Sequence, residues 1–478
     1  MAIDMTQIRS QIAADIGQKY EKYAKISEAI WDYAETGLKE YKSSKLLADT
    51  LEEAGFSVHF GVSGMDTAFI AEFGSGKPVV CYVAEYDALP NLSQKRGVAE
   101  KCPIEPGTPG HGCGHNLMGT AIVAAAIEAK KIVQQEAIPC TIRVVGTPAE
   151  ETIGAKAFMV RDGVFADVDF CLGYHSSYFN AVENFGMVAA KSVIFKFTGK
   201  SAHAGAAPHL GRSALDACEL MNVGVNYLRE HVKPTVRMHW CYINDGGRAA
   251  NVVPAYASIR YILRAQDSID LHDVSDRVND IAKGAALMTG TSVETEPELA
   301  ISNFVVNEEI GRICAEAMQD TERLVFDQED YAMAAAFRKT FTDNDIDAGM
   351  LRVNFCYPGR EDLREELLIT EAAPFTKCSG MIGGGSDLSD ISWVVPTAHF
   401  WTTTYANGTP GHSWQQAAQT STPIAHKGMI YAAKVMALSA IKILNTPGAI
   451  EKAKEELLKK TGGNYKSLLS PEQVPVAR

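Results

Sequence analysis

Residues Val79–Ala84 form an unbroken apolar run that stops at Glu85-Tyr86-Asp87. A strand with no polar face must be covered on both sides, and parallel sheets with helices on both faces meet that condition. Residues 141–146 repeat the pattern and lead into Thr147-Pro148-Ala149-Glu150-Glu151. Residues 168–174 repeat it again and lead into His175. Helical spacing surrounds these runs. Over 8–36 the apolar positions Ile12, Ile16, Tyr20, Tyr23, Ile26, Ile30 and Tyr33 share one stripe, and 117–133 is rich in alanine. Strand alternating with helix predicts an α/β fold with a mostly parallel sheet.

At 478 residues the chain is too long for one ordinary core, so a second domain is expected. The pattern changes near Lys191. Strands at 192–197, 238–243, 255–263 and 291–301 and helices at 213–229 and 271–288 follow a β-α-β-β-α-β order. This predicts a ferredoxin-like α+β module over 190–301. It is inserted in a catalytic domain made of 1–189 and 302–478, because His412 and a helix over 423–443 come after it. The residues from about Gly462 onward are polar and are expected to be disordered.

Composition narrows the partners. A net charge of -13 repels phosphate backbones and anionic lipid, so no nucleic-acid or membrane partner is expected. No apolar run approaches the roughly 20 residues that span a bilayer. Residues 1–20 carry Asp4, Arg9, Asp15 and Lys19 and no apolar stretch of a secretory signal. Ten thinly spread cysteines read as the reduced thiols of a cytoplasmic protein.

Asp87, Glu150, Glu151 and His175 each follow a predicted parallel strand, at the ends that line the crevice of an open α/β sheet. Cys113 and His115 sit in Gly110-His-Gly-Cys-Gly-His-Asn116, just before a predicted helix. Singly, each has an ordinary reading: a Glu-Glu pair is usually a solvated helix start, and Cys-Gly-His lacks the repeated partner of a zinc motif. Together they point to a divalent metal site, because imidazole, thiolate and carboxylate suit Zn, Mn, Co or Ni better than Mg or Ca. Of two adjacent acids, one can bind metal while the other takes a proton from the attacking water and returns it to the leaving amine.

These residues resemble the family of metallopeptidases and amidohydrolases that includes aminoacylases, glutamate carboxypeptidases, hippurate hydrolases and auxin-conjugate hydrolases, in its thiolate-using branch. The marks are Ala84 to Pro90, the Gly110 motif, Thr147 to Glu151, His175, Ser201-Ala202-His203-Ala204 and Gly411-His412-Ser413-Trp414. The resemblance implies a dinuclear centre of Mn or Zn, with Co or Ni as alternatives. Cys113 would bridge, His115 and His175 would complete one site, and Glu151 and His412 the other. Glu150 would be the general base and then acid, and Asp87 would orient a ligand. The inserted module would be a dimerisation domain or lid. Its His203 would reach the partner subunit's site to stabilise the oxyanion. Asn251 and Arg260 would hold the substrate's carboxylate, and the loop of Gly384, Gly385 and Ser386 would lie near the substrate. The implied reaction is hydrolysis of an N-acyl or N-aroyl amino acid, p-aminobenzoyl-glutamate foremost, by a homodimer or a heteromer with a homologous subunit. Other readings of the same residues are an amidase for auxin conjugates or dipeptides, and a scaffolding chain active only beside a homologous partner. Two positions depart from the pattern: Glu85 replaces a common His, and Asn116 replaces a common Asp, so it brings no charge to the motif.

Overall fold

The computed structural model describes residues 3–477. Its central sheet has seven strands, in the order Ser57–Phe60, Phe69–Gly74, Thr141–Gly146, Val79–Ala84, Phe170–Ser177, Thr397–Thr403 and Ala181–Val182. The four strands from Thr141–Gly146 to Thr397–Thr403 are mutually parallel, and the flanking ones join antiparallel. Every residue of Val79–Ala84 is buried. Its alternate side chains enter two cores. Val80, Tyr82 and Ala84 pack with helices His115–Gln135 and Pro423–Asn445. Val79, Cys81 and Val83 pack with helix Ala155–Arg161 and with Ile391 of the short helix Leu388–Ser392. Each fully buried valine contributes roughly 1.5–3 kcal/mol, so the apolar run has no stable alternative to a doubly covered position.

The second sheet is antiparallel, in the order Ser292–Ile301, Ala189–Thr198, Tyr256–Ala265 and Arg237–Asn244, with helices Ala214–Leu228 and Ser268–Thr289 packed on it. This is the ferredoxin-like arrangement.

Several elements differ from the expectation. The helix expected over 8–36 is two helices, Met5–Gln18 and Tyr20–Tyr33, meeting at Lys19. Both lie on the same pair of core helices, so the apolar stripe runs across the break and conceals it. His175 lies inside its strand rather than beyond it, because Phe170–Ser177 stays paired with Thr397–Thr403 through Ser177. The stretch 302–380, to which no element is assigned above, holds the helices Glu308–Asp320, Gln328–Arg338 and Asp343–Cys356, the first with Ile310, Ile313, Cys314, Ala317 and Met318 at helical spacing. The tail beyond Gly462 is packed. Leu468 and Leu469 are buried, Tyr465 OH donates to Asp390 Oδ1 at 2.8 Å, and Arg161 Nη1 donates to the carbonyls of Ser470 and Gln473 at 3.1 and 2.6 Å. Helix Pro423–Asn445 is long and apolar enough to cross a bilayer by length and composition, and 78% of its apolar window is buried inside the protein.

Candidate metal centre

The Gly110 loop is brought to the sheet by a close contact. Gly114 adopts φ +86°, and a Cβ there would lie 2.3 Å from Ser176 Oγ, so only glycine lets the loop close on the strand. Ser176 Oγ then donates to Cys113 O at 2.7 Å. Cys113 Sγ comes to 3.3 Å from His175 Nε2, on that same strand. His115 opens the helix His115–Gln135, and its Nδ1 meets Asp87 Oδ1 at 2.8 Å. The other oxygen of Asp87 accepts the Glu151 N–H at 3.0 Å, which ties the Glu150-Glu151 turn to the same carboxylate. Ala149, just before that turn, has φ +56° and donates its N–H to buried Glu40 at 2.8 Å. His412 also has positive φ, +52°, and donates its N–H to Gln416 Oε1 at 2.9 Å. Two non-glycine residues in this sparsely populated region, both at the cluster, are a local strain that the surrounding hydrogen bonds hold in place.

Three groups of donor atoms converge, each within 4.8 Å: Cys113, His115 and His175; Cys113, Glu151 and His412; and His115, Glu150 and Glu151. Cys113 belongs to two of them, as do His115 and Glu151. With Nδ1–H directed at Asp87, His115 presents a bare Nε2, and with Nδ1–H directed at Ser176 O at 2.7 Å, so does His175. Buried His115 Nε2 lacks a hydrogen-bond partner among the described residues, and buried Glu151 Oε1 lies 3.1 Å from His412 Nε2 and 3.9 Å from His115 Nε2. A buried polar atom without a partner is costly, and a cation among these atoms would satisfy it. The N, S and O donors are the set that zinc, manganese, cobalt or nickel takes, so the residues fit a metal.

The charges in the cluster act on one another. Burial, then the neighbouring His399, pushes His175 well below its ordinary pKa and keeps it neutral. Hydrogen bonds to Cys113 and then Glu151 lift His412 to about 11. Burial opposes a charge on His115, but Cys113 and Asp87 overcome it and raise its pKa. Burial, then the carboxylates of Glu151, Glu85 and Asp387, raises Glu150 well above the usual carboxylate range. Among the described residues, the lysine placed among these acids is Lys156, fully buried. It contacts Glu85 Oε1 at 2.7 Å and Asp387 Oδ1 at 2.6 Å. Lys156 and Asp387 were not singled out along the chain, although a lysine inside Gly154-Ala-Lys-Ala-Phe-Met is a signal: an apolar setting demands a partner for it.

The cluster forms the floor of a cavity of about 530 Å³. Gly385 and Ser386 line it. So do Arg352, His399, Trp401 and Tyr405, none of which the sequence singled out. His399 and Trp401 alternate on Thr397–Thr403, the spacing that puts two side chains on one face of a strand. His399 Nδ1 meets buried Glu183 Oε2 at 2.6 Å, and Trp401 Nε1 donates to the same oxygen at 3.3 Å.

Three expected residues lie elsewhere in the chain. His203 and Asn251 are exposed neighbours on the small sheet's loops, where the Ala204 N–H donates to Asn251 O at 2.9 Å. Arg260 is not on the cavity wall. Its Nε and Nη2 engage Glu298 at 2.6 and 2.7 Å. Within the Gly110 motif, burial pushes His111 down to about 3, and its Nε2 sits 3.0 Å from Ile30 O. Asn116 faces away from the donors. Its Nδ2 donates to Ser27 Oγ at 2.9 Å and to Thr420 O at 2.8 Å.

The sequence profile described as Peptidase family M20/M25/M40 matches residues 81–437. The chain is 40% identical over 443 residues to one of the subunits of p-aminobenzoyl-glutamate hydrolase of Escherichia coli (strain K12), covering 91% of this chain and 92% of that one. It is 28% identical over 473 residues to Xaa-Arg dipeptidase of Mus musculus, covering 95% and 93%. Among solved structures, a dinuclear metal binding peptidase of the M20 family from Bacillus subtilis superposes with a TM-score of 0.56 at 16% identity, covering 90% of this chain and 99% of that one. At that identity the likeness is one of fold.

Proposed function

This chain belongs to peptidase family M20/M25/M40, and from that membership we propose that it is a metal-dependent amidohydrolase of N-acyl or N-aroyl amino acids, with p-aminobenzoyl-glutamate as the leading substrate. The observation that carries the reading is Cys113, shared between two groups of donors at the floor of a substrate-sized cavity. Cys113 is assigned as the bridge, His115 and His175 as ligands of one ion, and Glu151 and His412 as ligands of the other. Two divalent ions, Mn or Zn with Co or Ni as alternatives, would polarise the scissile carbonyl and lower the pKa of the attacking water.

The protein's own groups do the rest. Asp87 holds the His115 ring and the Glu151 turn through its two oxygens. Glu150, unligated in this assignment, accepts the proton of the attacking water and returns it to the leaving nitrogen. Its raised pKa suits a group that must hold a proton between those events. His203 and Asn251 lie outside their own chain's cavity, which supports completion of the site by a second copy or by a homologous chain. The E. coli relative is named as one subunit of its enzyme, and that name supports the second arrangement. Ten unpaired cysteines support a reducing, cytoplasmic setting.

The test is hydrolysis of p-aminobenzoyl-glutamate by the purified chain. Dialysis against chelator should abolish it, and added Mn or Zn should restore it. Glu150→Gln should retain bound metal and lose roughly 100-fold or more in kcat, the scale of a general base. Activity that survives chelation rules out the metal reading, and near wild-type turnover by Glu150→Gln removes the assigned base. A single chain that is inactive with metal, yet active once a homologous chain is added, selects the heteromer.

A further inference from the structure

The cavity wall also carries a guanidinium that no described residue holds in a hydrogen bond or ion pair, although its charge acts on buried Glu183. Arg352 lies on helix Asp343–Cys356, whose Asp345, Ala348, Gly349 and Arg352 face the cavity at helical spacing. Arg352 is the single Lys or Arg among the lining residues. Its guanidinium stacks over Trp401, with Cζ 5.4 Å from the ring centroid, and makes no ion pair or hydrogen bond with any described residue. Trp401 in turn lies against the other side of the site, 4.7 Å from the His175 ring between centroids. A guanidinium offers five donors in a rigid fork, and leaving them unpaired in a half-buried wall is costly. Here Trp401 covers one side of the guanidinium. Residues 383–385 are all glycine, and an added Cβ at Gly384 would stand 3.8 Å from Arg352 Nη2, so no side chain covers the guanidinium from that loop. Asp345, the acid of that helix that lines the cavity, caps its own helix, its Oδ2 accepting the Thr342 N–H at 2.8 Å and Oγ–H at 2.7 Å.

Arg260 presents the contrast. Both arms of its fork are already on the Glu298 carboxylate, at 2.6 and 2.7 Å. A substrate carboxylate would have to displace that bidentate pair, whereas at Arg352 it would supply the missing one. We infer that Arg352, rather than Arg260, takes a carboxylate of the substrate's amino-acid half, and so selects anionic amides over neutral or cationic ones. The inference rests on the amidohydrolase reading for the kind of substrate, but on the cavity alone for the charge. It also separates the substrates named for the two relatives: a glutamyl product brings two anionic groups to this wall, and an arginyl side chain would bring a second cation to face Arg352.

The test is equilibrium binding, by calorimetry, to the metal-loaded full-length protein in a Glu150→Gln background that blocks turnover. The probes are p-aminobenzoyl-glutamate and its diamide, in which both carboxyls are carboxamides. Without Arg352 the diacid should lose a charge-assisted pair, so Arg352→Gln should raise its Kd about 10- to 150-fold. Arg352→Lys should fall between wild type and Arg352→Gln, and the diamide should bind all three proteins within about threefold. Loss of diacid and diamide alike, no loss of either, or a parent that does not prefer the diacid each overturns the inference. A diacid preference that depends on Arg352 in a protein that fails to hydrolyse p-aminobenzoyl-glutamate would sink the proposed reaction and leave this inference standing. Hydrolysis indifferent to Arg352 would do the reverse.

Discussion

Asn116 is where the motif departs from its pattern, and its surroundings say why an amide is present. It is fully buried, and its Nδ2 bridges Ser27 on helix Tyr20–Tyr33 and the carbonyl of Thr420. The Thr420 carbonyl needs a donor, whereas the Ser27 hydroxyl can itself donate. Aspartate is isosteric but acceptor-only when ionised, so Asn116→Asp would set a carboxylate against a carbonyl oxygen with no cation at hand. The expected cost is about 1–3 kcal/mol in stability, read by denaturant unfolding, with the metal bound per folded molecule unchanged. Wild-type stability combined with altered metal affinity would instead place Asn116 among the groups that tune the ions. The same logic separates the two arginines. Residue type marks both as carboxylate binders, and the neighbours decide which one has a fork to offer.

Helix His115–Gln135 supplies a donor at its first residue and packs both sides of its length into the core. Midway along it sits Glu128, buried beside Asp15, with Lys19 Nζ at 3.9 Å. Burial, then Asp15, raises its pKa from 4.5 to about 7. The folded chain therefore holds this proton more tightly than the unfolded chain does. Stability is unaffected below about 4.5, falls as pH rises through the interval, and has lost the full contribution above about 7. Glu128→Gln cannot ionise. It should be more stable than wild type by about 1–2 kcal/mol at pH 8, a figure reduced for solvent screening, and equal to it near pH 4. Urea denaturation at the two pH values checks this. A pH-independent difference would mean that packing, not ionisation, sets the effect.

Across the whole molecule, the donors reach from Cys113 to His412 and bind loop, strand and helix ends from both halves of the sheet. Bound ions would therefore hold together segments that chain connectivity leaves far apart. A ligand that binds only the folded state stabilises it by mass action, about 2.7 kcal/mol at a hundredfold excess over Kd. Metal-stripped protein should melt several degrees lower than the reconstituted protein, with Mn or Zn restoring the difference. Cys113→Ala, which removes the thiolate common to two groups of donors, should flatten that response. A melting temperature indifferent to metal would show that the cluster closes without ions.

The doubly buried strands, the ferredoxin-like order and the acids and imidazoles around the strand ends can all be read along the chain, because each is a local pattern. An apolar run of six has only one comfortable environment, and a strand's period identifies it without its partners. Pairing carries no such local mark. Nothing near Arg260 announces Glu298, nothing near Lys156 announces Asp387, and nothing near Arg352 announces that no described residue bonds its guanidinium in an ion pair. The break at Lys19 is hidden for the same reason, since two helices that share a packing surface share its period. Which residues suit a metal site follows from their type and place in the chain. Which of their charges are already spent depends on atoms brought together from distant parts of the chain, and packing alone settles that.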